Sequence, residues 1–195
     1  MKKIVILFIS CILLATSFIS GCTEPLNNDK TTETMFFDVS LLNVTLVEQD
    51  FTTSFTKLME NHTTETNTVE NITGNEITWE ILEQYDVTFY ANITNGVMET
   101  LLKLKSSEKA RNLSILSKNN LLDFNYTEQS IEPIGDLSFL LNRTITYQNN
   151  ESQYYTLLFS IGNIFVALGG SAPEQSTFIT YAKTIESNIL NTVER

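Results

Sequence analysis

A single histidine, His62, sets the first limit on the chemistry open to this chain. A Ser-His-Asp relay would have to use it, because imidazole is the base that titrates near neutral pH. It stands in Asn61-His62-Thr63 within a polar run, with no nucleophile elbow or glycine-rich oxyanion loop nearby. The reading is a solvated loop histidine. Paired carboxylates could act as general acid and base, and Glu48 with Asp50, Glu80 with Glu83, and Glu128 with Glu132 offer such pairs. With 23 acidic residues such pairs are unavoidable, and spacing in sequence does not set a distance across a cleft. No catalytic residue is assigned, and the chain reads as a non-enzyme. It carries neither a D-x-D-x-D-G calcium loop nor a phosphate-binding glycine pattern, so no metal and no cofactor are expected. Trp79, Tyr85, Phe89 and Tyr90 could line a groove for a sugar or an apolar ligand, or fill a sheet–helix interface, and the interface is preferred.

The two cysteines, Cys11 and Cys22, say more about address. Met1-Lys2-Lys3 precedes an apolar run from Ile4 to Ile19, and Ser20-Gly21-Cys22 closes it, the layout of a secretory signal. The run is shorter than the roughly 20 residues a membrane-spanning helix requires, which favours cleavage over an uncleaved anchor. Ile19-Ser20-Gly21-Cys22 resembles the lipobox of bacterial and archaeal lipoproteins, with Ile19 where leucine is usual. The resemblance implies a cut before Cys22, lipid on Cys22, and a protein tethered to the outer face of the cytoplasmic membrane. A mature chain starting there has one cysteine, so its domain must be stabilised by a core and not by disulfides.

Removing residues 1–21 also removes Lys2 and Lys3, leaving 10 basic against 23 acidic side chains, a formal charge of −13. That balance excludes a nucleic-acid footprint and disfavours electrostatic docking on anionic lipid. Asn-x-Ser/Thr acceptors for N-glycosylation start at Asn43, Asn61, Asn71, Asn92, Asn112, Asn125, Asn142 and Asn150. Eight is about double what the Asn, Ser and Thr content gives by chance, and with the lipobox it points to an archaeal surface glycoprotein.

These features need elements to carry them. Residues 22–34, mostly "TEPLNNDKTTET", read as a polar spacer, and residues 35–195 as one domain large enough for a core. "LLNVTLV" (41–47) predicts a strand. Phe51, Phe55, Leu58 and Met59, with Asp50 as cap, predict a helix, and 61–75 an exposed loop. "QYDVTFYANI" and "VMETLLKLK" predict paired strands around an Asn95-Gly96 turn. In the second strand Val97, Glu99, Leu101 and Lys103 share one side. Ser106 and Glu108 open a helix that Asn119-Asn120 would close. A turn at Ile134-Gly135-Asp136 precedes "SFLLNRTITY", and "QYYTLLFS" and "NIFVALGG" flank a hairpin turn at Ile161-Gly162-Asn163. Ser171-Ala172-Pro173-Glu174 reads as a capping box opening a last helix, whose stripe Phe178, Tyr181, Ala182, Ile185 and Ile189 faces the core. The class is α+β with an antiparallel sheet.

The order of these short motifs resembles a group of exported bacterial and archaeal lipoproteins: the strand pair, the helix on Ser106, Glu108 and Ala110, the Ile134-Gly135-Asp136 turn, the hairpin at Gly162-Asn163 and the terminal helix. Their domains are similar to the PsbP-like α/β sandwich, an antiparallel sheet covered by helices. The likeness spans roughly residues 77–190. It implies a binding or accessory module, held by its lipid, with an envelope protein or glycan as partner; the alternative is a structural glycoprotein of the envelope.

Overall fold

The computed structural model describes residues 36–51, 55–72, 75–92, 95–147, 150–171 and 174–193. The leader, Cys22 and the spacer lie outside the described residues. The domain is one antiparallel sheet with two helices. In chain order the elements are β1 (Thr56–Ile72), β2 (Asn75–Asn92), β3 (Asn95–Leu104), α1 (Ser107–Asp123), β4 (Thr127–Gln129), β5 (Leu137–Tyr147), β6 (Asn150–Ile161), β7 (Ile164–Ser171) and α2 (Gln175–Val193). The seven strands lie in the order β1-β2-β3-β7-β6-β5-β4. This is the α+β class with an antiparallel sheet that the sequence led us to expect.

Each face of the sheet has its own core. On one face Tyr85, Val87, Phe89, Val97, Leu101, Leu157, Phe159, Val166 and Leu168 pack beneath α2 and the segment 36–51. On the other, Trp79, Ile81, Leu104, Leu158 and Phe165 pack against α1 at Ala110. The interior strand β6 is therefore buried from Tyr154 to Ile161 without alternation, as a strand covered on both faces must be. In β2 the odd-numbered residues change sides. Ile81 pairs with Leu104 but Glu83 pairs with Lys103, a one-residue bulge at Leu82. It sends Trp79 and Ile81 towards α1, and Glu83, Tyr85, Val87 and Phe89 to the opposite face.

The second half of the domain follows the sequence closely. Ser106 caps α1 by accepting the Lys109 N–H at 3.2 Å, Glu108 lies in its first turn, and all five residues of the α2 stripe are buried. Gly135 takes the left-handed φ of +61° in the turn before β5. The first part differs. Residues 41–47 form no strand: 3-10 turns at Leu41–Asn43 and Glu48–Asp50 carry the chain across the sheet as a strap. The helix expected after Asp50 is absent, and 56–72, including the supposed loop, is β1. Its β-branched threonines suit a strand, and as an edge strand it tolerates a polar sequence. Phe51 and Phe55 still reach the core, whereas Leu58 and Met59 are exposed.

Smaller shifts occur at element ends. Asn95 and Gly96 are not the turn but the first residues of β3, paired with Asn92 and Tyr90. Helix α1 continues past Asn119-Asn120 to Asp123. Ser171 ends β7, and Ala172 and Pro173 of the expected capping box lie outside the described residues. Strand β4, only three residues long, gave no sequence signal.

Where β7 meets β3 the backbones approach closely: a Cβ at Gly170 would lie 2.1 Å from the Gly96 carbonyl oxygen and 3.2 Å from the Phe178 ring. Gly170→Ala should therefore part β3 from β7 and cost about 1–3 kcal/mol. Chemical denaturation of the two proteins checks this; equal midpoints and slopes would show that the strands can yield without cost.

Candidate functional site

Two places on the domain gather polar side chains. The first lies beneath the strap. Glu83 on β2 and Glu99 on β3 both point into the strap-side core, where a carboxylate needs donors. The strap supplies them twice in the same form, a hydroxyl and the next residue's N–H. Ser40 Oγ and the Leu41 N–H donate to Glu83 Oε1 at 3.1 and 3.0 Å. Thr45 Oγ1 and the Leu46 N–H donate to Glu99 Oε2, both at 3.1 Å. Further along, the Phe37 N–H donates to Asn163 Oδ1 at 2.7 Å, while Asn163 Nδ2 donates to the Leu104 carbonyl at 3.0 Å. Lys103 Nζ donates to the Val39 carbonyl at 3.0 Å.

The two carboxylates differ in their remaining neighbours. Burial pushes Glu83 up, but hydrogen bonds from Lys103, His62 and the Leu41 N–H outweigh it and hold the group below the usual carboxylate range. Lys103 Nζ is 3.1 Å from Glu83 Oε2 and His62 Nε2 is 3.0 Å from Oε1. Glu99 is 1% exposed and has no cation among its hydrogen-bonding partners. Burial pushes it up to about 8, against the Leu46 and Thr45 hydrogen bonds, and the charge of Asp50 adds to the rise. Both donors converge on Oε2, and Oε1 has no hydrogen-bond partner among the described residues, which leaves Oε1 to carry the proton. Alongside, Tyr85 donates to Glu60 Oε1 at 2.6 Å. Its phenol is raised by burial and then by that carboxylate. Glu60 is lowered by its hydrogen bond from Lys57 and next by that from Tyr85.

The second place is an open groove of about 740 Å³ beside the short edge strand β4. Strand β4 pairs only with Leu140–Asn142 of β5, yet β5 continues to Tyr147, paired with β6 throughout. Instead of extending β4 backwards, the chain turns away at Asn125, whose φ is +63°. Asn142, Arg143, Thr144, Ile145 and Gln153 line the groove with Phe124. A ladder of amides and hydroxyls crosses it: Gln129 Nε2 to Asn142 Oδ1 at 3.1 Å, Asn142 Nδ2 to Gln153 Oε1 at 3.5 Å, and Gln153 Nε2 to Thr144 Oγ1 at 3.0 Å. The Arg143 guanidinium lies over the Tyr126 ring, 4.9 Å from its centroid.

The residues singled out in sequence scatter. His62 is no loop histidine; it stands on β1 beside Glu83. Glu48 accepts the Lys57 N–H and Asp50 the Val47 N–H, both at 2.8 Å. Glu128 meets Lys118, Glu132 meets Lys183, and Glu80 is drawn down to about 2 by Lys105 and then Lys109. Trp79, Tyr85 and Phe89 are core residues and Tyr90 is exposed. Among the sequons, Asn43, Asn61, Asn92, Asn112 and Asn125 are exposed, while Asn142 is part-buried in the groove ladder. Asn71 and Asn150 lie at strand ends; Cys22 is outside the described residues. Sequence reading missed Glu83, Glu99 and Asn163 as a set. The available signal was charge within an apolar alternation, since Glu99 and Lys103 share a side of β3 with Val97 and Leu101.

Among the described residues no group of three or more His, Cys, Asp and Glu is placed to hold a metal ion. No helix among them is long and apolar enough to cross a membrane. Comparison with protein-family models, curated proteins and solved structures finds no match to this chain.

The raised Glu99 makes stability depend on pH in a defined direction. Its folded value lies above its ordinary 4.5, so the folded state holds a proton that the unfolded state releases. The contribution is fully present below about pH 4.5 and is lost as pH rises through about 8. Glu99→Gln keeps the acceptor and removes the titration. It should match the parent near pH 4.5 and exceed it by up to about 5 kcal/mol at pH 9. Urea unfolding at both pH values reads this directly, and a difference that stays constant with pH rules out a buried proton on Glu99.

Proposed function

We propose that this protein is a lipid-anchored, extracytoplasmic binding or accessory module of the PsbP-like group, acting without catalysis. The observation that carries the reading is the apolar leader ending in Ile19-Ser20-Gly21-Cys22, followed at once by a polar spacer. The domain supports it in two ways. The chain enters at one end of the sheet, where the Phe37 N–H bonds to Asn163 in the β6–β7 turn. The groove lies towards the other end, where Tyr147 pairs with Asn150 and Asn142 with Tyr155. A tether at the first end leaves the second end free of the anchor. In addition, lysines or backbone amides bind the carboxylate pairs picked out in sequence, which favours a structural use of them.

The exposed sequons at Asn43, Asn61, Asn92 and Asn112 are the acceptors we propose for glycans. A protein of this kind acts by display. More than one acyl-type chain on Cys22 is needed for stable anchoring, since a single chain binds a membrane only marginally.

Intact mass spectrometry of the native protein extracted from membranes, beside a Cys22→Ser variant, tests the reading. The expected mass lacks residues 1–21 and carries lipid, and the variant loses both features and leaves the membrane fraction. An uncleaved, unlipidated native mass would falsify the anchor, while hexose increments count the occupied sequons.

A further inference from the structure

The sheet has two edges, and they are built differently. At β1 the ladder is broken by a bulge between Lys57 and Met59, and Glu65 has a left-handed φ of +54°. Charges at Lys57, Glu60 and Glu65 add to these devices, which natural edges use to refuse a further strand. The other edge is covered by β4 only as far as Asn142. Beyond it Arg143-Thr144-Ile145-Thr146-Tyr147 has an unbroken register with β6, no proline and no bulge. Three β-branched residues in a row favour pairing there, and an open groove borders the strand.

We propose that this edge pairs with the same edge of a second copy, β5 against β5 in antiparallel register about Ile145. The segment is complementary to itself. With Ile145 opposite Ile145 on the two-fold axis, Thr144 stands opposite Thr146 and Arg143 opposite Tyr147 at the register positions. The apolar and threonine–threonine combinations are ones that stabilise cross-strand neighbours. No like charges face each other. The spacer suits the groove less well: it contains Pro25 and no more than two β-branched residues in a row, and the chain enters the domain at the β6–β7 end. The pairing runs through a two-fold axis normal to the sheet, an isologous contact that closes on itself. It also sends the two chain-entry ends in opposite directions, so two copies in one membrane pair only with their strands lying along its plane. Five residues a side bury less than a standard interface, so the dimer is weak and concentration-dependent.

The test uses the full chain in detergent with Cys11→Ser and Cys22→Ser, which makes it independent of the anchor. Sedimentation from low micromolar to near-millimolar concentration should show a monomer–dimer equilibrium. Ile145→Lys, which sets like charges opposite each other, should weaken it about tenfold or more with an unchanged circular dichroism spectrum. Ile145→Cys should oxidise to a covalent dimer faster than Ser187→Cys on the exposed face of α2, because antiparallel partners lie within disulfide range. A monomer at all concentrations overturns the proposal, as does a dimer indifferent to Ile145→Lys, or equal oxidation of the two cysteine variants. A glycan on Asn125 or Asn142 in most native chains would fill the partner's place and also overturn it.

Discussion

Residues 36–51 cross the sheet without joining it, so their backbone donors have no ladder to satisfy them, and the fold answers with side chains from below. Glu83 and Glu99 each take a hydroxyl and the following amide, and Asn163 takes the Phe37 N–H. Once those donors are matched, Phe37, Val39, Leu41, Val44, Leu46 and Phe51 can be buried. Each such side chain is worth about 1.5–3 kcal/mol when fully withdrawn from water. Unmatched amides at the same depth would offset much of that gain. The strap is thus a core element held by polar contacts, and its apolar residues seal the face that α2 alone does not cover.

Glu83 stands opposite Lys103 and Glu99 opposite Val87, so the two buried carboxylates lie four residues apart along the sheet, each with its own neighbours. The structure separates their states. Lys103 and His62 gather on Glu83, while Glu99 keeps its proton. The same division appears in enzymes that need one acid and one base, but here both groups face main-chain donors of the strap. Both carboxylates tie the strap to the sheet.

Legibility from sequence followed the strength of the periodic signal. The hairpin at Gly162-Asn163, the α1 cap at Ser106 and the α2 stripe could be read because each combines a turn or cap residue with a regular apolar spacing. The region before residue 75 could not. Phe51, Phe55, Leu58 and Met59 fit a helical period, but Phe51 is buried, Phe55 partly so, and Leu58 and Met59 are exposed, and the strand period of β1 was hidden because neither side is strongly apolar. The strap-side carboxylates were visible as anomalies, Glu99 beside Lys103 on the apolar side of β3 and Glu83 within the apolar alternation of β2. Their partners were not, since Ser40 and Thr45 meet them only across 43 and 54 residues of chain. The bulge at Leu82 left no mark at all, because it depends on which residue of β3 lies opposite.

The bulge and the edges belong to one argument about surfaces. By switching the side on which odd residues fall, Leu82 lets a single long strand serve the α1 core at Trp79 and the strap core at Tyr85. Strand β2 therefore outruns β3, and β1 follows it along its whole length. That makes β1 a long edge, and a long edge must be blunted, which its bulge, charges and irregular Glu65 accomplish. At the opposite end of the sheet β4 stops after three residues, and the unpaired remainder of β5 has no bulge and no left-handed residue, with Arg143 its one charge. An edge left plain in a sheet that blunts its other edge is where an added strand meets the least resistance.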